Sequence, residues 1–401
     1  MHVDYTEHYV IGSIANMESL FRMKRITIFL TLCATWVVAI GWLSVEYYVI
    51  PHISRIYDDM HIPYRCVDSW VNVNISEEGN FQRKHVGEES NIYRRVAVLS
   101  DLNESLLLYG KILQLEHSFN KTNVESFRTE IYKELGTNVT KLLYLTKENS
   151  PKGHKLRYYV STKGSFDTSS VYDKLPKNST FDRLDRCHVI GNSGSLLHSN
   201  CGKQIDDADF VYRCNAAPLK PFAADAGNES NITSFNPSIF GKRYHGLSNN
   251  THIGKFLTDM KQYHGYLWGA CLSFEANVKI CRKAMDAYNI TENSFVLGHP
   301  DHYKYFNGFW SKRGYGGRLS TGFYYASDAL SRCNEVHLYG FWPFKSIFQK
   351  DGPRNINYHY FDNISFPGTT EKSPHTMIKE FSILLQLHTF GIIKLHYGKC
   401  D

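Results

Sequence analysis

From about residue 185 to the C-terminus, short apolar runs of strand character alternate with longer amphipathic runs of helical character. "CHVIG" (187–191), "DFVYRCN" (209–215), "NITSFN" (231–236), "GYLWGA" (265–270), "SFVLGH" (294–299), "EVHLYGF" (335–341) and "IIKLHY" (392–397) read as strands. Between them "SLLHSN" (195–200) reads as a helical turn, and 252–263, 275–288, 320–333 and 376–390 read as helices. The last of these sets Met377, Ile378, Phe381, Leu384 and Leu385 on one predicted apolar face. This rhythm predicts an α/β fold, Rossmann-like in that a mainly parallel sheet is flanked by helices. Folds of that kind bind their ligands beyond the carboxyl ends of the strands.

The opposite end of the chain constrains its surroundings. "ITIFLTLCATWVVAIGWL" (26–43) is an uncharged run of eighteen residues, close to the length that crosses a bilayer as a helix. Arg22, Lys24 and Arg25 precede it, and Glu46 follows. Positive charge stays cytosolic, which predicts a single-pass type II protein: a tail at 1–25, a signal anchor at 26–45, a stem and domain edge at 46–150, and a lumenal folded domain at 151–401. A cleaved signal peptide fits less well, because the run is long, starts late and lacks a small-x-small site behind it. Ten Asn-x-Ser/Thr sequons follow the run and none precedes it, which suits a glycosylated lumenal chain. Of nine cysteines one, Cys33, falls inside the run, leaving an even number for an oxidising compartment. The net charge of +6 is dispersed, and no nucleic-acid motif is present.

One stretch, "CHVIGNSGSLLHSNCGKQIDDADFVYRCN" (187–215), concentrates the candidate chemistry. Gly191 and Gly194 follow a predicted strand as phosphate-binding glycines do, but the third glycine of the dinucleotide fingerprint is absent. Asn192 and Asn215 each lie just past the carboxyl end of a predicted strand, placed either as amide partners for a base, ribose or phosphate, or as ordinary turn residues. Cys187, Cys201 and Cys214 match no short zinc spacing, and disulfides suit them better.

This stretch resembles the large sialylmotif of animal sialyltransferases, type II Golgi enzymes that use CMP-sialic acid. The resemblance recurs downstream in the same order: 319–344, "LSTGFYYASDALSRCNEVHLYGFWPF", is similar to the small motif, "HYFD" (359–362) to the third, and "HTMIKE" (375–380) to the final His-x₄-Glu motif. "FNPSIF" (235–240) and a cysteine one residue from the C-terminus look like the α2,8 branch. "YGFWPF" (339–344) and "LQLHTFGIIKL" (385–395) look like its members that add one or a few sialic acids.

The resemblance implies a sialyltransferase variant of the GT-A type. It also implies transfer from CMP-sialic acid to a sialylated glycolipid or glycoprotein acceptor, in α2,8 linkage, with inversion and without a metal. The chemistry needs a base for the acceptor hydroxyl and stabilisation of the departing phosphate. His375, before a predicted helix whose dipole disfavours imidazolium, suits the base. His359 resembles the phosphate-contacting histidine. Asn192, Asn215, Ser320, Thr321, Gly322 and Trp342 fall on the donor-binding positions, and Ser320-Thr321-Gly322 opens a predicted helix suited to an anion. Glu380 is read as organising the fold around the site. The implied disulfides are Cys187–Cys333 and Cys201–Cys400, with Cys271–Cys281 as an open third pair. Cys66 and Cys214 remain, one read as buried and the other as a link within a homodimer.

Two departures stand out. Ser195 replaces an apolar residue of the large motif, and Glu229-Ser230-Asn231 stands where Lys-Thr-Asp is usual. Asn231 begins a sequon whose glycan would sit close to the predicted crevice, so either that sequon is unused or acceptor handling differs. Three alternatives stay open: a sialyltransferase capping galactose or N-acetylgalactosamine, an inactive sialoglycan-binding relative, and a dinucleotide-dependent oxidoreductase.

Overall fold

The computed structural model of the protein describes residues 102–400 apart from 180–182, 289–294, 350–351 and 367–374. The predicted tail, the anchor, the first half of the stem, Cys33 and Cys66 lie outside the described residues. Among the described residues no helix is long and apolar enough to cross a membrane.

Seven parallel strands form the central sheet in the order β11-β8-β3-β4-β5-β6-β7. They are β3 (Leu184–Ile190), β4 (Phe210–Arg213), β5 (Ile232–Phe235), β6 (Tyr266–Gly269), β7 (Phe295–Leu297), β8 (Cys333–Tyr339) and β11 (Lys394–Leu395). Two antiparallel pairs stand apart from it: β1 (Lys155–Arg157) with β2 (Ser165–Asp167), and β9 (Ser346–Gln349) with β10 (Gly352–Asn355). The chain runs outward from β3 to β7, then returns to place β8 on the other side of β3. That reversal opens a crevice at the carboxyl ends of β3 and β8.

Both faces of the sheet are covered, which is why its strands read as unbroken apolar runs. Alternate residues go to opposite cores: Cys187, Val189, Phe210, Tyr212, Val336 and Leu338 to one, Ile190, Val211 and Tyr339 to the other. Among the described residues there are eight helices of eight or more residues. They are α1 (Leu102–Leu113), α2 (Lys121–Leu135), α3 (Pro237–Tyr244), α4 (Asn250–Met260), α5 (Glu275–Tyr288), α6 (Pro300–Lys312), α7 (Thr321–Arg332) and α8 (Met377–Thr389). α7 lies on β3 and β8 and is covered in turn by α2 and α6, so every residue from Phe323 to Arg332 is buried.

Two expectations change. The buried stripe of α8 is Glu380, Phe381, Leu384, Leu387 and His388, while Ile378 is 51% exposed. A helix starting at Met377 with 100° per residue carries Ile378 off the stripe centred on Phe381 and Leu384. Asn231 opens β5 at the end remote from the crevice, where its Oδ1 accepts Val211 N–H at 2.7 Å. A glycan there would stand away from the ligand end of the sheet.

Three disulfides tie the layers: Cys187–Cys333 joins β3 to β8, Cys201–Cys400 holds the C-terminus, and Cys271–Cys281 links the end of β6 to α5. Cys214 is buried and free.

α7 also carries a buried polar knot. Asp328 accepts Tyr212 Oη–H at 2.8 Å and Arg332 N–H at 2.6 Å, with His302 Nε2 at 3.2 Å. Arg332 continues to Thr140 O at 2.8 Å. Burial pushes the Asp328 carboxyl up, but the Arg332 charge and these hydrogen bonds outweigh it and hold the pKa down to about 2. A carboxyl with a depressed native pKa stabilises the fold above its unfolded value, and that contribution is lost as pH falls through about 2. Asp328→Asn should leave Arg332 buried without its counter-charge and destabilise the domain by about 3–5 kcal/mol, seen as a fall in Tm at neutral pH in thermal unfolding.

Candidate active site

The strand ends supply the first half of the site. Asn192 follows β3, where its Nδ2 donates to Cys214 O at 3.0 Å and its carbonyl accepts Tyr360 N–H at 3.0 Å. Asn215 follows β4 in the left-handed region at φ 57°, and Ala216 stays there at φ 44°. Two consecutive non-glycine residues in that region are costly and occur where a site fixes them. Asn215 N–H donates to Ser234 Oγ at 2.8 Å, while its Oδ1 is buried without a hydrogen-bond partner. A buried amide oxygen left open is an acceptor waiting for a ligand donor.

Gly191 and Gly194 have a different role from the one their spacing suggests. A Cβ on Gly191 would stand 2.3 Å from Gly340 O, and one on Gly194 would stand 2.2 Å from Asn357 O. Their missing side chains make room for the chain's own backbone, which lets the 357–362 segment lie on the turn. Ser193 bridges to His359 there, and Ser193 Oγ donates to Trp342 O at 2.7 Å. His359 Nδ1 lies 2.7 Å from Asp362 Oδ2, with its ring stacked on Phe361.

The second half is a cavity of about 440 Å³. His375 and Thr321 line it together with Asn236, Tyr159, Tyr303 and Arg318. His375 Nδ1 sits 2.9 Å from Arg318 O. A carbonyl only accepts, so Nδ1 carries the proton and Nε2 keeps the lone pair. Burial pushes the His375 pKa below the usual imidazole value; the hydrogen bond to Arg318 opposes this, and the Arg318 charge adds to it. The ring is therefore neutral at pH 7 and basic at Nε2.

α7 stands between the two halves. Its N-cap, Ser320, accepts Phe323 N–H at 3.1 Å and donates from Oγ to Glu380 Oε2 at 2.5 Å. Glu380 Oε1 accepts Ser320 N–H and Tyr315 Oη–H, each at 2.7 Å. The Ser320 hydroxyl is thus spent inside the protein, and the first amides of α7, at Thr321 and Gly322, form a helix start of the kind that suits an anion. A Cβ on Gly322 would lie 2.9 Å from Phe341 and 3.8 Å from Cys214 Sγ, which puts this helix start against the turns bearing Asn192 and Asn215.

Trp342 does not join them. Its ring is 3% exposed, packed among Phe344, Phe381 and Tyr397, and its Nε1–H donates to Ser346 O at 2.9 Å. What Trp342 offers the site is its carbonyl, which orients Ser193. Asn236, in contrast, follows β5 and lines the cavity, and the same rule of asparagines past strand ends singles it out. Arg318, Tyr159 and Tyr303 carry no such signal, since they meet only in the folded chain. Among the described residues no group of three or more His, Cys, Asp or Glu is arranged to hold a metal ion.

Residues 144–392 match the family model described as glycosyltransferase family 29 (sialyltransferase). The chain belongs to that family. This sialyltransferase is 36% identical over 270 residues to an alpha-N-acetylneuraminide alpha-2,8-sialyltransferase of Bos taurus, covering 65% of this chain and 72% of the relative. It is 34% identical over 265 residues to alpha-2,8-sialyltransferase 8F of Mus musculus, covering 64% of each. A crystal structure of a mammalian sialyltransferase aligns with a TM-score of 0.37 at 21% identity, over 75% of this chain and 87% of that one.

The geometry of His375 is open to direct observation. Nitrogen-edited NMR of the sialyltransferase should find its Nδ1 protonated and Nε2 unprotonated at pH 7, with titration centred below 6.5.

Proposed function

We propose that this chain transfers sialic acid from CMP-sialic acid to a sialylated glycan on a glycolipid or glycoprotein, forming an α2,8 linkage with inversion and without a metal. The observation that carries the mechanism is His375, whose proton is placed on Nδ1 by Arg318 O and which lines a cavity shared with Thr321. The α2,8 assignment draws on the named relatives at 34–36% identity.

In this reading the acceptor hydroxyl attacks the anomeric carbon of the donor and gives its proton to His375 Nε2, while the bond to the phosphate breaks and CMP leaves with the electron pair. Attack opposite the leaving group converts the β-linked donor into an α-linked product. His359 donates a hydrogen bond to the departing phosphate, oriented by Asp362. The amides of Thr321 and Gly322 add the positive end of α7, and Asn192 and Asn215 hold the nucleotide. Trp342 contributes by supporting the Ser193 turn. The reading takes the 26–45 run as a single-pass type II anchor in the Golgi membrane, with the 46–150 stem and the 151–401 domain in the lumen and the protein as a homodimer. The domain has the GT-A character of its family.

The test is transfer from CMP-sialic acid, in EDTA, to an α2,3-sialylated lactose and to its asialo form. Product should form on the sialylated acceptor alone, and His375→Ala should lower kcat by roughly 10²–10⁴-fold. The acid limb of the pH–rate profile should fall below pH 6.5, because a lowered imidazole pKa keeps the base unprotonated until then. Transfer to the asialo form, or a requirement for a divalent cation, would replace this reading.

A further inference from the structure

The wall of the cavity beside His375 has an uneven charge. It is built from tyrosine, tryptophan and phenylalanine rings, amides and hydroxyls, and among its described lining residues none is Asp or Glu. Arg318 is the single permanent cation among those described lining residues. The basic residues just before it show how this protein otherwise handles such groups. Lys312 pairs with Glu134, and Arg313 pairs with Glu130 and Glu134 while stacking on Phe309. Among the described residues no carboxylate lies within ion-pair distance of the Arg318 guanidinium. A half-buried guanidinium without a counter-charge among the described residues, in a cavity of this size, fits a carboxylate with two parallel hydrogen bonds.

The position of Arg318 says which substrate supplies that carboxylate. Its own carbonyl holds His375, the group assigned above as the base for the acceptor hydroxyl. Its charge also acts on Tyr159 and Tyr303, whose rings pack 4.4 Å apart on the side of the cavity formed by 159–160 and 273–277. Asn192, Asn215 and His359 sit on the other turns and do not line this cavity. We propose that Arg318 grips the carboxylate of the sugar at the acceptor's end and so selects an acidic sugar over a neutral one. This rests on the reading that the protein extends sialylated glycans. It makes Arg318 a specificity-determining residue, joined through one backbone carbonyl to the base it serves.

Three substrates and two variants test it. Wild-type enzyme and Arg318→Gln are compared on a sialylated lactose, on the methyl ester of its sialic acid, and on the asialo sugar, while CMP-sialic acid binding is followed by calorimetry. Wild type should prefer the free acid to the ester by about 10- to 100-fold in kcat/KM. Arg318→Gln should lose most of that preference, chiefly through the KM of the acid, with the donor Kd moving less than about threefold. The ratio of two acceptors in one preparation does not depend on how much of the variant folds. Arg318→Lys, which keeps the charge without the fork, should fall between the two. An acid-to-ester preference equal in Arg318→Gln and wild type would overturn the proposal. So would a donor Kd raised as far as the acceptor KM, which would assign the guanidinium to the donor. Wild type that uses the asialo sugar and ignores the sialylated one would instead remove the reading on which the proposal rests.

Discussion

One buried carboxylate holds the site together. Glu380 lies in the first turn of α8 and reaches across to Ser320, taking both its amide and its hydroxyl, and to the hydroxyl of Tyr315. The bond fixes two things that sequence separates by sixty residues. It sets the start of α7, hence the direction of the amides at Thr321 and Gly322, and it sets the start of α8, hence the reach of His375 to Arg318 O. Burial raises the Glu380 pKa, and three donors aimed at its oxygens pull the other way. An acceptor-only group answers all three donors at once, which an apolar side chain of the same volume would leave stranded.

The rest of the domain serves to keep α7 where Glu380 finds it. Its burial on all sides supplies the packing, and its two charged residues are tolerable because each finds a partner. Asp328 draws in Tyr212 from β4 and His302 from α6, and Arg332 reaches Thr140 beyond α2. Cys187–Cys333 then joins β3 to the strand that follows α7. The helix is thus tied at its start by a hydrogen-bonded carboxylate, in its middle by an ion pair, and at its end by a covalent bond.

The sheet was legible in the sequence because strands buried on both faces are written as uninterrupted apolar runs, and the two cores around Val189 and Ile190 show why. α2 and α6 escaped for the opposite reason. The buried face of α2 includes Arg128 beside Val124, Phe127 and Ile131, and α6 buries His302 with its aromatic residues, so neither shows a clean apolar stripe. In the site, asparagines past strand ends could be found by position, and the same rule extends to Asn236. Which way a side chain points could not be found that way. Trp342 follows a strand as the asparagines do, yet its indole completes an aromatic cluster and only its carbonyl serves the turn. Gly191 and Gly194 look like a phosphate cradle in one dimension, and in three they make room for the backbone carbonyls of Gly340 and Asn357.

The two histidines show how surroundings assign roles to identical side chains. Each is held through Nδ1, but the partners differ: a peptide carbonyl for His375 and a carboxylate for His359. A neutral carbonyl, together with burial and the nearby Arg318 charge, favours the uncharged ring and leaves Nε2 with its lone pair, which is what a base for a hydroxyl needs. A carboxylate orients the His359 ring on the turn that bears Asn192. The two rings are also held by different loops: His359 rests on the turn after β3, and His375 on the carbonyl of Arg318 in the loop before α7. The start of α7 lies between them, with Thr321 on the cavity wall and Gly322 beside Cys214, and a helix start carries the partial positive charge that suits an anion.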